Sequence, residues 1–174
     1  MSERRIRRKP VETISGDGII LRPVAVADSE IMFNLVKDWP DYLRFFWGPF
    51  EPGCKTLNDW QRRNATKHPG LKSFVILNDE TLVGQIEAGN LGDGKWIIGF
   101  WIGTQYTGRG YAKKAVTALT DHIFKAFGAQ TIDANVDREN LTAKAVAIDT
   151  GFRLSGSHPD IPNHLVFALN RPEK

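Results

Sequence analysis

The stretch Ile98–Leu119, "IGFWIGTQYTGRGYAKKAVTAL", joins a strand pattern directly to a helix pattern. Its first part belongs to a nearly continuous apolar run of strand length, which is typical of a strand buried on both faces. Its last part predicts an amphipathic helix. The apolar stripe of that helix is expected at Ala112, Val116, Leu119, Ile123 and Phe127. Gly108 and Gly110 lie at the junction, where an ordinary turn would not need two glycines and an arginine.

Strand and helix patterns alternate on both sides of this stretch. Before it, a hairpin signal at residues 16–18 separates two short strands, and two helix patterns and two further strands follow. After it come a strand, a helix and two strands. This order predicts an α/β (α+β) fold with a single mixed central sheet and flanking helices.

The short helices have predicted apolar faces of their own. The first helix pattern places Ile31, Leu35 and Val36 at helical spacing. The last helix is expected to be capped by Asn140 and terminated by Gly151. Its apolar residues are Leu141, Ala145 and Ile148.

Positive charge is concentrated at the start of the chain. The net charge is +3 and the sequence pI is about 9.1. Residues 2–10 carry five basic residues and one acidic residue, a net of +4, which leaves −1 for the rest. We predict a flexible basic arm over residues 1–10 and a single domain over residues 11–174. A module that binds nucleic acid through this arm is an alternative, which the nearly neutral body does not favour.

The apolar and sulfur-containing residues bear on location. No apolar run is long enough to span a bilayer, and the N-terminus lacks the apolar core of a signal peptide. The single cysteine, Cys54, excludes an internal disulfide and fits a reducing compartment. We therefore expect a cytoplasmic protein without a membrane partner. The sequence shows no pattern of metal ligands, so no metal is expected.

The glycines at the strand–helix junction predict an anion site. The first turn of a helix has unpaired N–H groups and a partial positive charge. Gly108 and Gly110 would let a diphosphate approach the backbone, and Arg109 would add charge. The Gly-Lys-Ser/Thr ending of a Walker loop is absent, and Lys113 stands where a dinucleotide fingerprint has its third glycine.

Two motifs together resemble the GCN5-related N-acetyltransferase (GNAT) family, particularly its ribosomal-protein and N-terminal acetyltransferase branch. The family's [Gln/Arg]-x-x-Gly-x-[Gly/Ala] loop is similar to residues 107–112, "TGRGYA", with Thr107 in place of Gln or Arg. Its later Asn-x-x-Ala/Ser motif and Gly-Phe ending are similar to residues 140–152, "NLTAKAVAIDTGF". The resemblance covers roughly residues 17–170.

The resemblance implies acetyl-CoA as cosubstrate, bound where two neighbouring strands splay apart. Backbone groups of Phe100, Trp101 and Ile102 would bind the pantetheine amides as an added strand does. Asn140 would contact the pantetheine arm near the thioester. The implied diphosphate loop consists of Thr107, Gly108, Arg109, Gly110, Tyr111 and Ala112.

The implied reaction is attack of a neutral amine on the thioester. Glu87, on a strand beside the cofactor strand, is the candidate catalytic base, acting directly or through water. His158 and His164, which flank the "PDIPN" loop, are alternative bases. A surface-facing Glu87 without a catalytic role is equally open.

The expected activity is an N-acetyltransferase acting on a primary amine, either a protein N-terminal α-amine or a small-molecule amine. The acidic residue that the family often has at the position of Ile97 is absent, as is its tyrosine on the last helix. A catalytically degenerate acetyl-CoA-binding sensor or scaffold is therefore an alternative. A monomer or a homodimer fits the sequence equally well.

Overall fold

The computed structural model describes residues 12–47, 53–66 and 68–173, so the basic arm lies outside the described residues. Eight strands are present in this part of the chain: β1 Ile14–Gly16, β2 Ile19–Pro23, β3 Leu71–Asn78, β4 Thr81–Gly92, β5 Lys95–Ile102, β6 Thr131–Asp137, β7 Arg153–Ser157 and β8 His164–Asn170. Its α-helices are α1 Ser29–Val36, α2 Leu57–Ala65, α3 Tyr111–Phe127 and α4 Leu141–Asp149. The order of strands and helices confirms the predicted fold class.

All eight strands form one sheet in the order β1-β2-β3-β4-β5-β6-β8-β7. Neighbouring strands are antiparallel except β5 and β6, which are parallel and joined through α3. Their pairing starts at Lys95 and Thr131 and stops at Ile98 and Ala134. Beyond that point the two strands separate. Residues 99–102 of β5 therefore remain paired with β4 alone among the described strands, which is the splay that the resemblance implied.

Each face of the sheet carries its own hydrophobic cluster. On one face, α3 packs against Ile86 of β4 and Ile98 of β5. Leu119 and Ile123 of α3 are completely buried there, and each contributes roughly 1.5–3 kcal/mol through burial of its side chain. On the other face, α1 and α2 pack over Trp101 of β5. The two clusters fix the centre of the sheet between helices, where the site lies.

The predicted stripe of α3 is confirmed at Val116, Leu119 and Ile123, which are all buried. It is wrong at its end, where Phe127 is 40% exposed. Phe124 is buried instead, and the Phe127 ring packs against Trp96 of β5 with 5.1 Å between ring centres. Gly128 ends the helix in the left-handed conformation, as its sequence position predicts.

The predicted apolar faces of the two short helices are partly wrong. Ile31 of α1 is 51% exposed, whereas its neighbour Met32 is fully buried. In α4, Leu141 and Ile148 are exposed, and the buried residues are Val146 and Ala147. Spacing alone does not distinguish two adjacent phases of a helix of only eight or nine residues. The actual phase depends on which side meets the sheet.

Candidate active site

A cleft of about 490 Å³ opens where β5 and β6 separate. Its walls come from the free half of β5, the loop before α3 and the first turns of α3 and α4. The predicted cofactor residues that line it are Phe100, Trp101, Ile102, Thr107, Gly108, Gly110, Tyr111, Ala112 and Asn140. The fold thus brings together two motifs that are separated in the sequence. Every predicted cofactor residue except Arg109 lies in the wall of this cleft.

The loop before α3 is shaped by two glycines in the left-handed region. Gly108 has φ of 75° and Gly110 has φ of 79°, values that residues with a Cβ atom rarely adopt. A Cβ atom at either position would have no heavy atom within 4 Å, so both α-carbons face open space. Gly110 is the N-cap residue of α3, and no side chain caps the helix. The N–H groups of the first turn are therefore available to an anion in the cleft.

Arg109 lies outside the cleft wall. Its guanidinium donates to the carbonyl oxygen of Gln105 at 3.3 Å and lies 5.7 Å from the ring centre of Tyr106. The cation that does line the cleft is Lys113, which pairs with Asp149 of α4 at 3.2 Å. The positive character of the loop therefore comes from backbone N–H groups and Lys113 in this conformation.

Asn140 serves as the N-cap of α4, as its sequence position predicts. Its side-chain oxygen accepts a hydrogen bond from the Ala143 amide at 3.0 Å. Because this bond engages the oxygen, the side-chain NH₂ group is the part of Asn140 that can donate to a ligand in the cleft.

A second, smaller pocket of about 230 Å³ lies on the other side of the splay. Its residues are Phe45, Phe46, Leu71, Glu87, Gly89, Ile97, Ile98, Gly99, Asn135, Ile161 and His164. We call it the acceptor pocket. Phe45 lines this pocket and the cofactor cleft alike, so the two spaces meet beside this ring. A Cβ atom at Gly99 would lie 3.6 Å from Phe46, so the absence of a side chain at Gly99 leaves space beneath this ring.

Glu87 faces inward from β4 and is only 9% exposed, so the surface-facing alternative is wrong. One carboxylate oxygen, Oε1, accepts hydrogen bonds from three side chains. Ser73 donates at 2.8 Å and Gln85 at 2.9 Å, and Arg63 of α2 forms an ion pair with the same oxygen. Gln85 in turn accepts a bond of 2.9 Å from the indole N–H of Trp101. The carboxylate is therefore held in place by a network that reaches the cofactor strand.

The two candidate histidines differ in their surroundings. Nδ1 of His158 accepts hydrogen bonds from the backbone amides of Asp160 and Ile161 at 3.1 and 3.0 Å, so it is used to hold the β7–β8 turn. His164 is 6% exposed and lines the acceptor pocket. Its Nδ1 lies 3.1 Å from the carbonyl oxygen of Pro162.

Ion pairs of Arg44 connect the Leu43–Trp47 turn to the end of β6. Arg44, in a short helical turn at Leu43–Trp47, binds Asp137 through two contacts of 3.3 Å and also pairs with Glu139. Burial of Asp137 acts to raise the pKa of its carboxyl, but hydrogen bonds from Arg44 and the Glu139 amide outweigh it, and the pKa is lowered. Asp137 is thus a carboxylate at neutral pH. The Arg44 guanidinium also lies 4.8 Å from the ring centre of Phe45, which stands at the junction of the two pockets.

Sequence reasoning missed several residues of the acceptor pocket. Asn135 and Gly99 share one face of the sheet with Glu87, and alternation along β5 and β6 could have revealed this once the register was known. Arg63 and Arg44 come from segments far away in the sequence, and no local signal points to them. Residues 42–50 are rich in aromatic side chains. Tyr42 lies in the core and Phe45 and Phe46 line the pocket, whereas Phe50 lies outside the described residues.

In the part of the chain that the structure describes, no group of three or more His, Cys, Asp or Glu side chains could hold a metal ion. No helix among the same residues is long and apolar enough to cross a membrane.

The chain is similar to known proteins in sequence and in fold. Residues 19–153 match the family model described as Acetyltransferase (GNAT) domain, which is more than three quarters of the chain. No curated protein sequence matches the chain at a significant level. Among solved structures, RimJ of Mycobacterium smegmatis in complex with CoA-disulfide is 25% identical with a TM-score of 0.79, over 92% of this chain and 88% of that chain.

Two further solved structures are similar in fold. A GNAT-family acetyltransferase from Bacillus anthracis is 21% identical with a TM-score of 0.78, over 91% of this chain and 98% of that chain. A ribosomal-protein-S5-alanine acetyltransferase from Vibrio fischeri is 18% identical with a TM-score of 0.73, over 92% of this chain and 100% of that chain.

Proposed function

This chain belongs to the GNAT acetyltransferase family and is an acetyl-CoA-dependent acetyltransferase, and we propose that it acetylates a primary amine. The preferred acceptor is the N-terminal α-amine of a protein, with a small-molecule amine as the alternative. We also propose that the enzyme works in the cytoplasm. The observation that carries the proposal is that the cleft beside the glycine loop and a small pocket containing the Glu87 carboxylate meet at the splay between β5 and β6.

The cofactor cleft accounts for the binding of acetyl-CoA. The free half of β5 offers backbone groups to the pantetheine amides, because it lacks a partner strand on this side among the described residues. The uncapped start of α3, with Gly108 and Gly110, offers N–H groups to the diphosphate. The side-chain NH₂ of Asn140 reaches the same cleft. The thioester would then lie near Phe45, where the acceptor pocket begins.

The size and charge of the acceptor pocket support an α-amine. At about 230 Å³ it is smaller than the roughly 300–1,000 Å³ of a typical pocket for a drug-sized ligand. It therefore suits the first residue of a polypeptide or a very small amine. An α-amine has an ordinary pKa of about 7.7–8.0, against about 10.4 for lysine, so a much larger fraction is neutral at pH 7. The Vibrio fischeri enzyme of similar fold is named for a ribosomal-protein acceptor, S5-alanine, which agrees with this preference.

The proposed reaction is a direct transfer. The neutral amine nitrogen attacks the thioester carbonyl carbon, the C–N bond forms and the C–S bond breaks. The thiolate needs little help to leave, since an ordinary thiol has a pKa of about 8.5. The prediction that Glu87 is the base, acting directly or through water, stays a prediction. Its anionic carboxylate in the acceptor pocket supports at least an attraction for the incoming ammonium.

The test is an acetylation assay with peptides that differ only in which amine is free. One peptide has a free α-amine and no lysine, and its control has a blocked α-amine and one lysine. We expect acetyl transfer to the first peptide and little to the second, measured by mass spectrometry. Binding of acetyl-CoA is measured in parallel by calorimetry.

Two outcomes would contradict the proposal. Acetyl-CoA binding without acetylation of any peptide or small amine in a broad panel would support the sensor alternative. Transfer to small amines but not to peptides would replace the polypeptide acceptor with a small molecule.

A further inference from the structure

The two ionisable groups of the acceptor pocket are engaged very differently. Oε1 of Glu87 accepts hydrogen bonds from Ser73, Gln85 and Arg63. Three donors, one of them a cation, already occupy this oxygen, which leaves it little room to take a proton from an incoming amine. His164, which lines the same pocket from the start of β8, has no such set of donors. The pocket therefore contains one fixed negative charge and one imidazole.

The contact of His164 with Pro162 assigns its tautomer. A carbonyl oxygen can only accept a hydrogen bond, so Nδ1, which lies 3.1 Å from it, carries the proton. In the neutral ring Nε2 then holds the lone pair. Within residues 12–47, 53–66 and 68–173, Nε2 has no hydrogen-bond partner. A buried histidine that is oriented through one nitrogen and unengaged at the other is suited to proton transfer.

We infer that His164 is the general base of the reaction and that Glu87 is the anion that binds the acceptor's ammonium group. This inference rests on the proposed function. As the amine nitrogen attacks the thioester carbon, the proton that it loses goes to Nε2 of His164, and the C–S electrons leave with the thiolate. The imidazolium then returns its proton to the thiolate or to water, so the enzyme regains its starting state.

The charges around His164 favour this role. Asp137 is its partner in the β6–β8 register, so a carboxylate lies beside the imidazolium that forms. Arg44 of the Leu43–Trp47 turn opposes this attraction, but it is shared between Asp137 and Glu139. Glu87 adds a further negative charge from β4 across the pocket. The backbone N–H of His158, just after β7, donates a hydrogen bond of 2.9 Å to the backbone carbonyl oxygen of His164.

The pKa of the acceptor itself favours an α-amine over lysine. An α-amine has an ordinary pKa of about 7.7–8.0 and a lysine side chain one of about 10.4, so an α-ammonium loses its proton more easily by about 2.4–2.7 pKa units, or roughly 250–500-fold. This preference is the same for any base, so it supports the proposed acceptor and not the choice of His164.

The experiment compares H164N, E87Q and H158N with the full-length wild type on the α-amine peptide. Asparagine at 164 can still donate to the Pro162 carbonyl but lacks the Nε2 acceptor, so it separates proton transfer from structure. We expect kcat of H164N to fall about 10²–10⁴-fold, the range for loss of general acid–base catalysis. We also expect the wild type to show the rise of kcat with pH that a general base produces, and H164N to lack it. E87Q should mainly raise KM for the peptide, and H158N should keep the wild-type pH profile.

Binding of acetyl-CoA and the melting temperature show whether each variant is folded. If H164N fails to fold, H164Q is measured in its place, since its amide occupies the position of Nε2 without titrating near neutral pH. The inference is overturned if the folded variant keeps kcat and the pH profile, or if E87Q removes the rise instead. A wild type that binds acetyl-CoA but acetylates no amine would overturn the proposed function and this inference together.

Discussion

Gly110 and Gly18 have nearly the same backbone conformation in different places. Their φ angles are 79° and 77°, and a Cβ atom at either would have no neighbour within 4 Å. Gly110 lines the cofactor cleft, whereas Gly18 lies in the β1–β2 turn. We predict that G110A and G18A each lose about 1–2 kcal/mol of stability through left-handed strain. Only G110A should also weaken acetyl-CoA binding, by about tenfold, because its methyl group displaces one phosphate contact.

Denaturant unfolding gives the loss of stability, and calorimetry gives the affinity. Equal weakening of acetyl-CoA binding in both variants would show that stability, and not the space above the loop, controls affinity.

At this scale, the part of the site that depends on backbone shape could be predicted from the sequence. Gly108 and Gly110 are predictable because only glycine adopts positive φ readily. The direction of the Arg109 side chain was not, since an exposed arginine takes the partners that its neighbours offer. Nor were the donors to Glu87, because Arg63 comes from another element.

Among the helices and strands, α2 is tied to β4 by the ion pair of Arg63 with Glu87, whose side chains are 17% and 12% exposed. Loss of one partner leaves a charge in a mostly buried place. We therefore predict that R63M loses about 2 kcal/mol or more of unfolding free energy. Arg62, its neighbour in sequence, is 72% exposed in its pair with Asp59, so R62M should cost less stability than R63M.

Urea denaturation measures both variants, and R63M/E87Q should recover much of the loss because no unpaired charge remains. Equal stability of R62M and R63M would contradict a structural role for the ion pair.

The start of α2 has a pH-sensitive cap. The pKa of Asp59 is lowered to about 2, chiefly by the Arg62 side chain and then by hydrogen bonds from Thr56. A lowered pKa in the folded state means that the stabilisation is complete above the ordinary pKa of about 3.9 and is lost as the pH falls through 2. We predict that wild type and D59N differ in stability at pH 6 and converge toward pH 2. Thermal unfolding over this range measures the difference, and a constant difference would exclude the linkage.

The number and order of the elements followed from alternating apolar patterns, but the phase of the short helices did not. In α1, Ile31 and Met32 fit an apolar stripe about equally, and packing over the sheet decides between them. The tie between Arg44 and Asp137 joins groups 93 positions apart, and local patterns carry no information on such a pair.

For the molecule as a whole, the rate at which Cys54 is alkylated measures how often the fold opens. Burial, more than any neighbouring charge, raises the pKa of its thiol to about 11. At pH 8 only about one thiol in 1,000 would be ionised, against roughly one in four for an ordinary cysteine. We predict that iodoacetamide labels Cys54 very slowly without denaturant. Acetyl-CoA should slow the labelling further if the reaction passes through the unfolded state.

Mass spectrometry over time gives the rate of labelling. Rapid labelling of the native protein would show that the segment around Cys54 opens independently of the rest of the domain.

The sheet could be predicted as a single mixed sheet, but the meeting of the two pockets could not. It depends on the point at which β5 and β6 stop pairing, after Ile98 and Ala134. Both strands continue beyond this point, and the sequence of either strand alone does not mark the end of their pairing. The separation is a property of the packed domain, in which α4 and the Leu43–Trp47 turn occupy the two sides.

The early end of the pairing between β5 and β6 also has a consequence for aggregation. Residues 99–102 of β5 present an open strand edge in the middle of the molecule, and such edges template pairing with other chains. Occupancy by the thioester substrate would hide that edge. We therefore expect the enzyme to aggregate more readily without acetyl-CoA than with it, which light scattering during heating would measure.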